Sequence, residues 1–412
     1  MFRQEHRTWQ IATLALASTS PVRRIARFQR RFRSYQRDSN IARVPNVERD
    51  PLLVWFDEYC PIDRLDAGSM RSSYILSDIL GRGISVIFIT ADSRCSSHDH
   101  PHGMIIFQPN WVAFGIKKLA QKANPAAIWI SRTSVADDYL ALITRVFGST
   151  PVIFDTVDLQ SRRLELEATR LTSRLVGRLA SRWKANEQLI ARAAERVIAV
   201  TDIEKDLLKP NCKALPLVIP TVHPGVKNSA ELGQRSGAVF VANFRHDPNV
   251  VALGWLLREV WPLVASRNPE MQLCVVGSNP PRHLVESAGS TVTFEGRIED
   301  LETYLNQRRV NVAPLITGAG VKGKITEALS LGLPTITTSV GADGIPLVHM
   351  GNSLVADNAA DFARQIELLN SDDLLWQKLS QAGYALFEER YSLEVLKDAV
   401  DSLLKDLKLE SR

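Results

Sequence analysis

Short apolar runs alternate with stretches of helical length from residue 51 to the end of the chain. The first block of predicted strands covers residues 52–56, 84–90, 127–131, 151–157, 196–201 and 216–220. The second block covers residues 238–244, 272–277, 292–296, 310–315, 334–340 and 353–356. Apolar strands separated by helices are typical of parallel sheets that are buried on both faces. The pattern predicts an α/β protein with two doubly wound, Rossmann-like domains that face a central cleft, where the strands end.

A polar segment at residues 228–237 contains glycine and separates the two blocks, which predicts a hinge. We expect one domain at residues 51–228 and a second at residues 237–390. We expect residues 391–412 to form a helix that packs back on the first domain. Residues 1–50 precede both domains and form a separate arm.

Composition limits the classes of function. The 412 residues are 45% hydrophobic and 23% charged, as in soluble globular proteins. The first fifty residues hold eleven arginines and four acids, a charge of +7, so the net +5 of the chain leaves −2 for the rest. A nearly neutral body argues against nucleic-acid binding, which needs a basic groove.

Cysteine spacing and apolar run length bear on the compartment. Cys60, Cys95, Cys212 and Cys274 form no C-x-x-C pair, which predicts four reduced thiols. No apolar run reaches the roughly 18 residues of a membrane span. We expect a cytoplasmic protein, and the short apolar run at residues 11–17 leaves secretion as a lesser alternative.

The arm contains a cationic amphipathic pattern at residues 21–37. Its apolar side chains share one helical face and are Val22, Ile25, Phe28, Phe32 and Tyr35. Arginines fill most of the remaining surface. This pattern favours a helix lying on an anionic membrane, at the inner face of the cell membrane. A solvated leader is the alternative.

One loop combines two glycine patterns. Gly318, Gly320 and Gly323 fit G-x-G-x-x-G, and the same loop ends as G-x-x-x-x-G-K at Lys324. A dinucleotide site needs these glycines after the first strand of its domain, whereas here they follow the fourth. A nucleoside triphosphatase needs a hydroxyl side chain directly after the lysine, and Ile325 stands there. Both interpretations are therefore disfavoured.

The same loop nevertheless favours phosphate. It follows a strand that ends at Leu315 and precedes a helix predicted from Val321. A helix N-terminus with Lys322 and Lys324 attracts a diphosphate. Glu327, one turn later, can accept hydrogen bonds from two neighbouring ribose hydroxyls. The loop predicts a nucleoside diphosphate site, with a helix-capping loop and a solvated Lys/Glu pair as the alternative.

Residues 318–345 resemble the donor-binding segment of family 4 (group 1) glycosyltransferases, which have the GT-B fold. The shared positions are Lys324, Glu327, Ala328, Gly332 and Pro334. Upstream, "HDPN" (246–249), "WP" (261–262) and "VVG" (275–277) follow in the order expected of a polysaccharide-biosynthesis branch. Residues 63–76 and 152–163 resemble the first domain of that branch more loosely.

The resemblance implies a retaining, metal-independent hexosyltransferase with no cofactor. It would transfer sugar from a UDP- or GDP-sugar to a glycan or lipid-linked acceptor in surface polysaccharide synthesis. The second domain would bind the donor and the first the acceptor. The implied donor contacts are Gly68, Ser69, Arg245, Gly277, Arg297, Ile298, Thr317, Gly318, Ala319, Gly320, Val321, Lys322, Lys324 and Glu327.

Two departures from the family pattern concern the donor site. The family has paired acids eight positions apart, and Ala319 replaces the first of them while Glu327 fits the second. Many members also have an Arg and a Lys early in the donor domain, where this chain has Asn243 and Pro248. We expect Arg245 and the two loop lysines to supply that charge.

The predicted catalytic residues are Asp158, Lys324 and Glu327. Asp158 follows the strand at 151–157 and would contact acceptor or donor sugar, although an N-cap with a surface ion pair is the alternative. The weaker acceptor-side candidates are Arg132, Asp155, Arg162 and His100. His100 lies in a loop at 95–103 with alternating histidines, where a metal site is disfavoured and a solvated loop is the alternative.

Three other functions remain open. A nucleotide-sugar 2-epimerase shares the architecture, and a non-catalytic nucleotide-binding partner in a glycan-assembly complex is compatible with Ala319. An oxidoreductase is the most distant alternative.

Overall fold

The computed structural model describes residues 51–61, 67–90, 103–107, 112–225, 232–318 and 320–409. The chain divides into two compact units. The first ends at Ile219 and resumes at Lys397, and the second runs from Pro220 to Leu396. This division precedes the predicted hinge, of which residues 228–231 lie outside the described residues, so the predicted domain limits stay predictions. No helix in the described ranges is both long and apolar enough to cross a bilayer.

The first unit is built on seven parallel strands in the order β3-β2-β1-β4-β5-β6-β7. They are β1 (Leu52–Phe56), β2 (Ser85–Ile89), β3 (Met104–Phe107), β4 (Ala127–Ser131), β5 (Val152–Asp155), β6 (Arg196–Ala199) and β7 (Leu217–Val218). Its helices are α1 (Ala67–Gly81), α2 (Val112–Lys122), α3 (Thr133–Phe147), α4 (Gln160–Leu171), α5 (Arg174–Ala193) and α6 (Asp202–Leu208).

Burial explains why these segments are strands. All residues of β1, β4 and β5 are buried, as in a sheet covered on both faces. Trp55 and Trp129 stack between β1 and β4, with ring centroids 4.5 Å apart. The indole of Trp55 donates to Ser131 Oγ at 3.0 Å, so its polar atom is satisfied inside the core. The strand order reverses between β1 and β4, which is where such sheets bind ligands.

The second unit contains six parallel strands in the order β10-β9-β8-β11-β12-β13. They are β8 (Ser236–Val241), β9 (Leu273–Val276), β10 (Val292–Gly296), β11 (Arg308–Ala313), β12 (Thr335–Thr337) and β13 (Leu354–Val355). Its helices are α7 (Asp247–Trp255), α8 (Trp261–Arg267), α9 (Arg282–Glu286), α10 (Leu301–Asn306), α11 (Gly323–Ser330), α12 (Ser339–Ala342), α13 (Ala359–Ser371) and α14 (Asp373–Arg390). A π-helical segment, Leu256–Val260, joins α7 to α8. The strand order of this sheet reverses between β8 and β11.

The last helix, α15 (Leu393–Asp406), contains the second boundary between the units. Beyond that boundary, Asp401 accepts a hydrogen bond from Arg82 Nη1 at 2.8 Å. Arg196 lies 3.3 Å from Asp406 through its Nε. Both contacts attach the end of this helix to the first unit.

Two details differ from the sequence predictions. The edge strand β3 was not predicted, because its four residues follow a long polar stretch of sequence and show no alternation. The expectation of four reduced thiols is wrong, because Cys60 is disulfide-bonded while Cys212 and Cys274 are free. Cys95 lies outside the described residues, as do the arm and its amphipathic segment.

Candidate functional site

The glycine loop follows β11 at the point where the strand order of the second sheet reverses. Gly318 has φ 112° and Gly320 has φ 76°, backbone conformations that side-chain-bearing residues rarely adopt. Helix α11 then begins at Gly323, and its N-cap residue Lys322 makes no side-chain cap. The helix starts about two residues later than predicted. The positive end of its dipole therefore adjoins the loop, which favours an anion there.

Lys324 is held at the start of this helix by the segment that follows the neighbouring strand. Its Nζ donates to Asn249 Oδ1 at 2.7 Å and lies 4.8 Å from the centroid of the Phe240 ring. Asn249 in turn donates to the carbonyl of Asn243 at 2.8 Å. Burial lowers the pKa of Lys324 to about 7, while the nearby Glu327 carboxylate opposes this change and Lys322 adds to it.

Asn249 belongs to the "HDPN" segment that follows β8, and sequence reasoning assigned it no contact in the site. The structure places it beside the glycine loop, because β8 and β11 are paired neighbours. Asn249 lies close in sequence to Asn243 and Pro248, the positions where many family members have an Arg and a Lys. It positions Lys324 instead of contributing charge itself.

Glu327 lies one helical turn after Gly323 and is half-buried. Burial raises the pKa of its carboxyl to about 7, the neighbouring Lys324 opposes that change, and Glu302 adds to it. Lys322 directs its Nζ to the carbonyl oxygen of Gly320 within the loop. Two cations and a carboxylate thus lie on one short segment, in the order that a diphosphate and its ribose require.

His223 is a second residue that the sequence did not reveal. Its Nε2 lies 2.9 Å from Thr326 Oγ1, although the two residues are 103 positions apart. Thr326 also donates to the carbonyl of Gly323 at 3.1 Å, which closes the first turn of α11. Burial lowers the pKa of His223 to about 4, so it is neutral near pH 7 and supports this turn as a hydrogen-bonding group.

The other predicted donor residues of the second unit follow neighbouring strands at the same sheet edge. Arg245 is exposed, and its backbone N–H donates to Asn243 Oδ1 at 3.0 Å. Arg297 is exposed directly after β10, while Ile298 packs against the core. Thr317 and Val321 flank the loop and are half-buried, and Ala319 lies outside the described residues.

Gly277 has a structural explanation that needs no ligand. It has φ 143°, and a Cβ at this position would lie 1.9 Å from the carbonyl oxygen of Ala242. Its N–H donates to the carbonyl of Gly296 at 2.7 Å. The close approach of three strand ends therefore requires glycine here, and its role as a donor contact stays a prediction.

Two carboxylates at strand ends of the first unit, Asp155 and Asp57, are each paired with an arginine. Arg71 Nη1 lies 2.8 Å from Asp155 Oδ2, and both side chains are almost fully buried. Arg132 Nε lies 2.8 Å from Asp57 Oδ1. Burial raises the pKa of Asp57, and the nearby Arg132 opposes this. Asp155 is 0% exposed, so its carboxylate joins β5 to α1 and is not available to an acceptor in this structure.

The remaining predicted residues of the first unit are placed as follows. Gly68 and Ser69 lie in the first turn of α1, and Ser69 is buried. Asp158 is half-exposed just after β5, 3.6 Å from Arg163 Nη1. Arg162 is half-buried on α4, and His100 lies outside the described residues.

Arg132 combines its ion pair with an unusual backbone. It has φ 75° at the N-cap of α3, and its guanidinium lies 4.7 Å from the ring centroid of Tyr59. Strain of this kind is found at functional sites. Its acceptor-side role stays a prediction. In this structure its side chain is already paired with Asp57.

In the ranges that the structure describes, no three His, Cys, Asp or Glu residues are grouped so that they would hold a metal ion. The prediction that the reaction needs no metal is untested by this observation.

Parts of the chain are similar in sequence to known proteins. Residues 235–372 match the family model described as "Glycosyl transferases group 1". An uncharacterized 44.6 kDa protein in the cps region of Klebsiella pneumoniae is 24% identical over 187 residues, which cover 43% of this chain. The match spans 48% of that relative, about half of its length.

Solved structures share the architecture over most of the chain. Alr3699/HepE from Anabaena, in complex with UDP and glucose, has a TM-score of 0.63 and 13% identity, covering 86% of this chain and 99% of its own. A glycosyltransferase from Rickettsia africae has a TM-score of 0.64 and 12% identity, covering 88% of this chain and 100% of its own. The chain has the GT-B fold, and its residues 235–372 are similar to the group 1 glycosyltransferases.

Proposed function

We propose that this protein is a retaining glycosyltransferase that moves a sugar from a nucleoside-diphosphate sugar to a glycan or lipid-linked acceptor. One observation carries the proposal. A glycine loop after β11 leads into a helix N-terminus where Lys324 is fixed by Asn249 and Glu327 follows one turn later. This order of cation and carboxylate fits a diphosphate joined to a ribose.

The residues of the loop have separate roles in the proposal. Lys322, Lys324 and the amino end of α11 bind the diphosphate and stabilise the charge that develops on it as the sugar leaves. Glu327 accepts hydrogen bonds from the ribose hydroxyls. Retention of anomeric configuration is proposed from the family resemblance, with the leaving phosphate accepting the proton of the attacking hydroxyl. No metal or cofactor is part of the proposal.

The donor is proposed to be a UDP- or GDP-sugar. The Anabaena structure is a complex with UDP and glucose, and that likeness supports a uridine donor for this chain. The acceptor is proposed to belong to a surface polysaccharide, because the curated relative comes from a cps region. The arginine-rich segment at residues 21–37 is proposed to bind an anionic membrane where such acceptors are assembled.

A thermal-shift panel of UDP, GDP, ADP and their sugars tests the proposal. We expect one nucleoside diphosphate to raise the melting temperature of the wild-type protein, since a ligand that binds only the folded state stabilises it. The same ligand should have little effect on Lys324→Ala and its full effect on Lys378→Ala, an exposed lysine of the same unit. Absence of stabilisation at millimolar concentration by every nucleotide would contradict the proposed site.

Product analysis separates the alternatives. A transferase releases one nucleoside diphosphate for each sugar that it attaches to an acceptor, here supplied as a glycan and lipid extract. Release of a free epimerised sugar without acceptor would indicate the 2-epimerase. Binding without any turnover would indicate the non-catalytic partner.

A further inference from the structure

A six-residue segment after β5, residues 156–161, is held by two buried glutamates from different helices. Glu204 on α6 is 2% exposed and Glu187 on α5 is 1% exposed. Neither belongs to the motifs that the sequence singled out, and neither takes part in the proposed chemistry. The half-exposed Asp158 lies in the middle of this segment.

Glu204 holds the first half of the segment. Its Oε2 accepts from Thr156 Oγ1 at 3.1 Å, and its Oε1 accepts from the backbone N–H of Leu159 at 3.3 Å. The same carboxylate accepts from the N–H of Val200 at 3.1 Å, which ties the segment to the end of β6. Asp158 is thereby bracketed on both sides by bonds to one side chain.

Glu187 holds the second half. Its carboxylate accepts from the N–H of Ser161 at 3.2 Å and from Ser161 Oγ at 2.5 Å. Helix α4 begins here, and its N-cap Leu159 provides no side-chain cap. A carboxylate on α5 therefore satisfies the amino end of α4 from outside, where negative charge is also favoured by the helix dipole.

The cost of this arrangement suggests that it serves more than folding. Burial raises the pKa of Glu187 to about 7 and raises that of Glu204 as well, although the hydrogen bonds oppose both changes. Val157, next to Asp158, has φ 58°, a conformation that is strained for a β-branched residue. Two buried acids and a strained residue thus adjoin one half-exposed carboxylate at a strand end.

We propose that Glu187 and Glu204 are positioning residues, which fix the backbone of residues 156–161 so that the Asp158 carboxylate is presented to the sugar substrates at the carboxyl end of β5. The catalytic contact of Asp158 rests on the proposed function. The fixing of the segment rests only on the hydrogen bonds described above.

The first test measures the segment itself. Hydrogen exchange of peptides that contain residues 156–161 is compared in the wild-type protein, Glu187→Gln, Glu204→Gln and the control Glu165→Gln. Glu165 is a half-exposed acid on α4 that pairs with Lys184. We expect exchange at least tenfold faster in the first two variants and unchanged in the control. Equal exchange in all four proteins would overturn the proposal.

The second test measures turnover with the donor identified by the thermal-shift panel. We expect kcat to fall about 10- to 100-fold in Glu187→Gln, with the donor KM and the thermal shift by nucleoside diphosphate unchanged. In an Asp158→Asn background the same change should lower kcat less than about twofold further, because its effect acts through Asp158. Multiplying effects in the double variant would overturn the positioning role.

Two outcomes distinguish this proposal from the proposed function. A wild-type protein that transfers no sugar overturns the proposed function and the role of Asp158, while hydrogen exchange still decides whether the segment is fixed. A wild-type protein that transfers sugar and a Glu187→Gln variant with unchanged kcat overturn the positioning role alone. Should Glu187→Gln fail to fold, Ser161→Ala removes one hydrogen bond and should give a smaller change of the same kind.

Discussion

The strand ends of the two sheets use charge in opposite ways. In the second unit, Lys324 and Glu327 lie on a half-buried helix start, and the lysine is bonded to a neutral amide. In the first unit, Asp155 and Arg71 neutralise each other in the core. Charged residues that follow parallel strands thus stay half-buried beside the glycine loop of one unit, whereas the Asp155–Arg71 pair of the other unit is enclosed in its core. Position at a strand end does not by itself identify a binding residue.

The largest expected effect is a loss of stability when the buried ion pair of the first unit is broken. We expect Asp155→Ala to lower the free energy of unfolding by about 3–5 kcal/mol, because it leaves the buried Arg71 unpaired. Urea denaturation measures the loss, with Glu165→Ala as a control that should change stability by less than about 1 kcal/mol, since its ion pair is exposed. A loss within that control range would show that the buried pair is not structural.

In the second unit, Lys324→Ala should leave the free energy of unfolding almost unchanged and weaken the binding of the nucleoside diphosphate. Removing one charge-assisted hydrogen bond to the diphosphate costs about 1.5–3 kcal/mol, which corresponds to roughly 10- to 150-fold in affinity. Isothermal titration with the preferred nucleoside diphosphate measures this. Lys378→Ala should bind like the wild-type protein, and equal affinity in Lys324→Ala would remove the contrast between the units.

A smaller effect concerns pH. The pKa of Lys324 is lowered to about 7 in the ligand-free protein, so above pH 7 a bound diphosphate must restore the lysine proton. Affinity for a sugar nucleotide should then fall with rising pH, by at most about tenfold per unit. Below pH 7, Glu327 becomes protonated and loses an acceptor for ribose, so binding should be strongest near pH 7.

Titration calorimetry in buffers with different ionisation enthalpies measures the protons taken up on binding. Lys324→Arg provides the comparison, because arginine keeps its charge throughout this range. A wild-type affinity that is constant from about pH 7 to 9 would show that Lys324 stays charged without ligand.

Local patterns predicted the fold well, and they also predicted a glycine loop that leads from β11 into a helix. The apolar runs specified all six strands of the second unit, and the loop chemistry depends on residues 318–327 that are adjacent in sequence. The contacts of Lys324 with Asn249 and of Thr326 with His223 could not be predicted, because sheet pairing and chain return bring these residues together.

The first unit was less predictable for the same physical reason. Asp155 and Asp158 are alike in sequence, yet one is buried against Arg71 and the other is half-exposed. Burial depends on which helix covers a strand end, and no local pattern reports it. Glu187 and Glu204 differ from other helical acids only through their hydrogen bonds with residues 156–161, which are distant in sequence.

The left-handed backbone of Val157 has a consequence for laboratory evolution of this protein. Glycine or asparagine adopts this backbone conformation with less strain than valine. Either replacement should raise the free energy of unfolding by up to about 1 kcal/mol. Selection for thermal tolerance alone would therefore favour such replacements beside Asp158. If the fixed backbone of residues 156–161 presents Asp158 to the substrates, selection for sugar transfer should keep the valine, and the two selections would then favour different residues at position 157.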